Sequence, residues 1–120
     1  VGLVYTNAVL VNVKDEARTF SDSFLVDTGA TDTIVPSNEL EQIGIERRRK
    51  RSYELADGTV VSYDVGVALV RFEDEETAID VVFGKNGVEP LLGVTALQST
   101  GFIVDPANHT LRKMSAIPLK

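Results

Sequence analysis

The chain has 120 residues with 18 acidic and 12 basic side chains, a formal net charge of −6, and 43% apolar and 25% charged residues. That suffices for one domain closing a single core, and the acidic balance argues against general nucleic-acid binding. Cysteine is absent, which removes disulfides, thiolate metal sites and a thiol nucleophile together, and no apolar run approaches the length of a bilayer span.

In chain order, short β-branched and aromatic runs alternate with turn residues, the pattern of a mostly β chain. Residues 1–13 alternate loosely and are expected to form a strand. Asp15-Glu16-Ala17 is the expected hairpin connection into a second strand, 19–26, which ends at Asp27. Residues 33–35 form a short buried strand. From 36 to 44 the pattern changes: Ser37 or Asn38 caps, Leu40 and Ile43 share one face, and Gly44 stops a helix of about two turns. Residues 53–72 make a long hairpin with Asp57-Gly58 at its tip. The charged stretch 73–76 turns into a strand over 77–83, and Gly84-Lys85-Asn86-Gly87 is a further turn. A second short helix follows Leu91-Leu92-Gly93, covering 94–98 and ending near Gly101. Strands 102–105 and 110–114 close the chain around a Pro106-Ala107-Asn108 turn. The expectation is an all-β single domain, 1–120, with one or two short helices.

The chemistry concentrates at Phe24-Leu25-Val26-Asp27-Thr28-Gly29-Ala30-Thr31, an apolar strand running into Asp-Thr-Gly. A carboxylate at the end of a buried strand is costly to desolvate unless it has a task there. Gly29 permits close backbone approach, and Thr28 offers a short hydroxyl for a local hydrogen bond. Such a site suits a carboxyl group meeting an extended peptide. The single histidine, His109, lies in a polar stretch and is expected on a surface loop; no Gly-x-Ser-x-Gly elbow supplies it with a nucleophile.

The order Asp27-Thr28-Gly29, then a hairpin turning at Gly58, then Leu91-Leu92-Gly93 before a short helix resembles the retropepsin-like, single-domain aspartic proteases over nearly the whole chain. The resemblance implies a closed β-barrel with a flap hairpin, and an aspartic endopeptidase needing no cofactor and no metal. It also implies that the single Asp-Thr-Gly is completed by a twin, so that a homodimer brings two Asp27 carboxyls together. Thr28 would then bond to the partner's loop. Gly29 would receive substrate backbone, with Ala30 beside it in the active-site loop, and the tip at Ala56, Asp57 and Gly58 would pair with an extended peptide. Ile34, Val35, Leu91 and Val94 stand open between pocket wall and core. The alternative is a silent retropepsin-fold dimerisation or peptide-binding module.

Three departures stand out. Retroviral members commonly carry an acidic residue two places after the motif glycine and an Arg after the late glycine. Here those positions hold Thr31 and Val94. Together with the 36–44 helix this is more similar to cellular and microbial members, and implies a dimer contact built differently from the viral one. Phe102-Ile103-Val104-Asp105 superficially repeats the first run, but Pro106 follows it, so a strand end and turn is the favoured reading. Arg47-Arg48-Arg49-Lys50-Arg51 is read as a solvated loop leading into the hairpin, ahead of a nucleic-acid patch, a localisation tag or a processing site. Asp32 and Asp57 stand open between facing substrate and forming turns, with the second favoured for Asp57. The expected partners are a second copy and a polypeptide substrate, with neither membrane nor nucleic acid, in a cytoplasmic location.

Overall fold

In the computed structural model, which describes residues 3–119, side chains alternate in and out along β1 (Tyr5–Asn12): Thr6, Ala8 and Leu10 are buried while Tyr5 and Asn7 face out. This two-residue period sends every second side chain to a common core. Strand β2 (Asp15–Asp27) is exposed along its first half and dives inward at Phe24 and Val26, so that Asp27 ends the strand at the edge of the core. Strand β3 (Thr33–Pro36), helix α1 (Ser37–Gln42), β4 (Arg49–Glu54), β5 (Val60–Phe72) and β6 (Glu75–Gly84) follow. The chain continues through β7 (Leu91–Gly93), α2 (Val94–Thr100), β8 (Phe102–Asp105) and β9 (Thr110–Lys113).

Hydrogen bonding joins the strands in the order β1-β2-β7-β3-β6-β5-β4, and a further antiparallel β1–β5 pairing, Val9 to Arg71 through Val11 to Leu69, closes six of them into a ring. The closed all-β architecture is therefore present, with two short helices. Strand β4 lies outside the ring and pairs with β5 alone among the described residues. Strands β8 and β9 form a separate two-stranded sheet. Phe24, Leu10, Leu40, Leu92, Val35, Val70 and Val81 are fully buried inside. Val35 is thus core and not a pocket wall.

Several local expectations shift. The first hairpin turns at Val13 and Lys14, and Asp15-Glu16-Ala17 already belong to β2, because the Asn12 Oδ1 accepts from the backbone N–H groups of Lys14 and Asp15 and closes the turn earlier. Val1 and Gly2 of the expected first strand lie outside the described residues. Neither Ser37 nor Asn38 caps α1. Pro36 is the N-cap, the Ser37 hydroxyl donates to Gly84 O at 2.7 Å, and Asn86 reaches across to accept from the Asn38 N–H at 3.0 Å. Gly44, at φ +77°, ends the helix as expected, with Leu40 and Ile43 buried. The basic run is not a loop: its last three residues begin β4. Helix α2 stops at Gly101, whose φ of +81° is the left-handed C-cap that favours glycine.

Candidate active site

Strand β7 lies parallel to the end of β2, with Leu25 opposite Leu91, Val26 opposite Leu92 and Asp27 opposite Gly93. The two short motifs thus meet in space, side by side. Beyond Asp27 the chain turns: the Ala30 N–H donates to Asp27 O at 3.2 Å, and the Gly29 N–H donates to the Asp27 carboxylate, Oδ1, at 2.9 Å. A Cβ on Gly29 would sit 3.2 Å from that same oxygen, so the bare backbone is what permits the approach.

The start of α2 holds the loop from behind. The Val94 N–H donates to Ala30 O at 2.8 Å, and Thr95 donates to Thr31 O through both its N–H and its hydroxyl. Thr31 and Val94, where viral members place an ion pair, therefore stand on a neutral backbone lattice with Thr95 added. Gly93 is wedged still more tightly. A Cβ there would lie 2.5 Å from the Asp32 carbonyl carbon, and its N–H donates to the buried Thr33 hydroxyl at 3.1 Å.

Asp27 opens onto a broad groove. Gly29, Ala30, Asp32 and Ile34 line it on the side of Asp27, and Arg51, Tyr53, Leu55 and Ala56 of the β4–β5 hairpin line it from the other. Of the residues singled out in the sequence, Asp27, Gly29, Ala30, Thr31, Asp32, Ile34, Arg51 and Ala56 share this groove. Asp57 and Gly58 sit at the exposed hairpin tip outside its lining, where the Asp57 carboxylate accepts from the Thr59 N–H at 2.9 Å. That Thr59 contact holds the Asp57 carboxyl below the usual carboxylate range, the signature of a turn former. Leu91 is half-buried in the ladder between Leu25 and Ile34 and does not belong to the groove's lining. Thr28 is exposed and borders a second, more apolar depression with Val94, Leu97, Phe102 and Val104. Asp105 takes no part: its carboxylate accepts from Ala107 and Asn108 in a turn. His109 lies in the same exposed turn at φ +52°.

The sequence reading missed a cluster around Asp32. This carboxylate is only 6% exposed, accepts from the Tyr53 hydroxyl at 2.7 Å, and pairs with Arg51 at 3.3 Å. Burial, followed by the hydrogen bond to Asp32, pushes the Tyr53 phenol well above the ordinary tyrosine value. The legible signal was the spacing Arg49, Arg51, Tyr53, which a strand places on one face. Three of the run's other four charges also meet acids of this chain: Arg47 pairs with Glu41 and Asp64, Lys50 with Asp64, and Arg49 with Asp80. Among the described residues no cluster of His, Asp and Glu is placed to hold a metal ion, and no helix is long and apolar enough to cross a membrane.

The fold recurs in known proteins. The retroviral protease-like domain of Ddi1 from Leishmania major superposes with a TM-score of 0.60 at 15% identity, covering 97% of this chain and 91% of that one. The simian foamy virus (mac) protease gives 0.54 at 20% identity, over 78% of this chain and 90% of that one. Both likenesses speak for the fold. A retropepsin-like aspartic protease from Rickettsia conorii gives 0.60 at 25% identity, over 87% of this chain and 77% of that one. No curated protein matches. The family model described as gag-polyprotein putative aspartyl protease matches residues 13–99, a span running from the first hairpin through Asp27 and Gly93 into α2. With the ring of strands and the paired motifs, that match makes this chain a member of the retropepsin-like aspartyl protease family.

Proposed function

We propose that the chain is a homodimeric aspartic endopeptidase, active as a single domain over residues 1–120, in which Asp27 of each copy forms one half of a catalytic dyad. The observation that carries this reading is the Asp27 carboxylate. It stands at a strand end on an open groove, held by the Gly29 N–H, and the other wall is a hairpin. One chain contributes one such carboxyl, and an isologous two-fold contact supplies the second. The exposed Thr28 and the apolar depression beside it suit that contact.

Two carboxyls about 3 Å apart cannot both ionise, so the pair holds one proton. The ionised member takes a proton from a water held between them, while the protonated member donates to the oxygen of the scissile carbonyl. The water oxygen bonds to the carbonyl carbon and gives a tetrahedral diol. Its collapse breaks the C–N bond, with a proton passing to the leaving amine. No covalent acyl-enzyme forms, so the lack of a paired Ser or His nucleophile is consistent. Gly29 and Ala30 leave room for substrate backbone, Ile34 offers an apolar wall, and the hairpin acts as a flap adding strand pairing to the bound peptide. Leu91 pairs beside Ile34 in the sheet and holds that wall in place. The partners are thus a second copy and an extended polypeptide. No nucleic acid is proposed, since the basic run is largely matched by this chain's own acids.

The test is cleavage of a diverse peptide library from about pH 3 to 7, with Asp27→Asn alongside. Cleavage by the wild type that is lost in the variant upholds the reading. Cleavage that survives the substitution sinks it. A confirmed dimer that cleaves nothing transfers the fold to the silent peptide-binding alternative.

A further inference from the structure

Strand β4 hangs on the molecule by one edge. It pairs only with β5 among the described residues, from Arg49 opposite Val65 to Glu54 opposite Val60. An outer strand of this kind would swing from its base unless side chains tie it down. Arg49, Arg51 and Tyr53 alternate onto one face and all reach acids of the barrel. Arg49 pairs with Asp80 of β6 at 2.8 Å, and Arg51 lies between Asp80 at 3.4 Å and Asp32 at 3.3 Å. The Tyr53 hydroxyl donates to Asp32 at 2.7 Å.

Asp32 is the barrel end of this tie. Its backbone packs closely against Gly93, which anchors the residue that carries the carboxylate. A buried carboxylate is costly unless charge or hydrogen bonds compensate it, and both compensating groups come from β4. Past Tyr53 the ties stop. Residues 54–60 are exposed and held by local bonds alone: Leu55 N–H to Thr59 O, Gly58 N–H to Leu55 O, and Thr59 N–H to Asp57.

We propose that Tyr53 and Arg51 are positioning residues: through Asp32 they clasp the base of the hairpin to the floor of the groove, so that only residues 54–60 move when a peptide enters. The consequence for catalysis rests on the protease reading above; the clasp itself does not. Because Tyr53 packs against Tyr63 across the hairpin, with ring centroids 6.3 Å apart, removing the hydroxyl alone leaves the packing in place.

The experiment compares wild type, Tyr53→Phe, Asp32→Asn and Arg51→Lys by amide hydrogen exchange and by steady-state cleavage. In Tyr53→Phe, exchange over residues 49–54 should accelerate about tenfold, the loss expected for one hydrogen bond to a charged group, while β1 and β6 stay unchanged. A looser base adds an ordering cost to ground and transition states alike, so KM should rise severalfold while kcat holds. Arg51→Lys keeps the charge and should fall between wild type and Tyr53→Phe. Unchanged exchange over 49–54 in both Tyr53→Phe and Asp32→Asn would overturn the clasp. Faster exchange with an unchanged KM would overturn the positioning role. If the wild type cleaves nothing, the protease reading falls, and the exchange comparison alone upholds or overturns the clasp.

Discussion

Asp27 and Tyr53 line one groove, yet the chain around each is held by different forces. Around Asp27 the holding contacts come mostly from backbone N–H groups, those of Gly29, Val94 and Thr95, joined by the uncharged hydroxyls of Thr33 and Thr95, with Gly93 wedged so closely against Asp32 that no side chain would fit. Around Tyr53 they are side chains, charges and one phenol reaching from an outer strand to Asp32 and Asp80. Backbone bonds packed against the ring of strands are shielded, whereas the Arg49 and Arg51 pairs with Asp80 join half-exposed side chains and are individually weak, Asp32 alone being buried. Under the proposed function, holding one carboxylate still while admitting a long peptide calls for both kinds of wall.

Several measurements would break or sharpen this contrast. The largest effect falls at Asp27: Asp27→Asn should lower kcat by at least about 10²–10⁴-fold, the span of general acid–base assistance, with the unfolding midpoint little changed. A loss of stability as large as the loss of activity would mean that Asp27 supports the floor instead of reacting on it. Next comes the floor itself. Leu92 is fully buried under Asp27's strand, so Leu92→Ala should destabilise by about 2–5 kcal/mol in denaturant unfolding. A cost below about 1 kcal/mol would show that the floor collapses around the gap and is less rigid than drawn.

At the hairpin tip the expected effect is smaller. Gly58 has φ +85° and open space where a Cβ would go, so Gly58→Ala meets conformational strain only, about 1–2 kcal/mol. That cost should appear in tip exchange before it appears in global unfolding. The smallest effect is in pH. Tyr53's phenol is raised in the folded chain, so its contribution to stability is fully present below the unfolded tyrosine value near 10 and is lost as pH rises through the folded value. Tyrosinate absorbance should show a late-ionising phenol that Tyr53→Phe removes. Its persistence in that variant would place the phenol elsewhere.

Much of the fold was legible because it rests on local rules. The run into Asp27, the Asp57-Gly58 tip, and the helix stops at Gly44 and Gly101 each follow from periodicity or from a positive φ that glycine accommodates. Where the reading slipped, a longer-range partner won. Asn12 closed the first turn ahead of Asp15, Asn86 satisfied the start of α1 in place of Ser37 or Asn38, and distant acids drew half of a basic run into a strand. Charge density in sequence argues for solvent; it does not reveal an Asp80 on a neighbouring strand.

The sequence alone determined that one carboxylate ends an apolar strand before a glycine, and that Leu91-Leu92-Gly93 follows later. It did so because strand alternation and glycine's freedom depend on neighbours a few residues away. Only the tertiary structure decided that Gly93 lies beside Asp27, that Asp32 is buried, and that Tyr53 and Arg51 reach it. Those contacts join residues far apart in sequence, 21 positions for Asp32 and Tyr53, and depend on which strands close the ring, a choice made by packing the whole core at once.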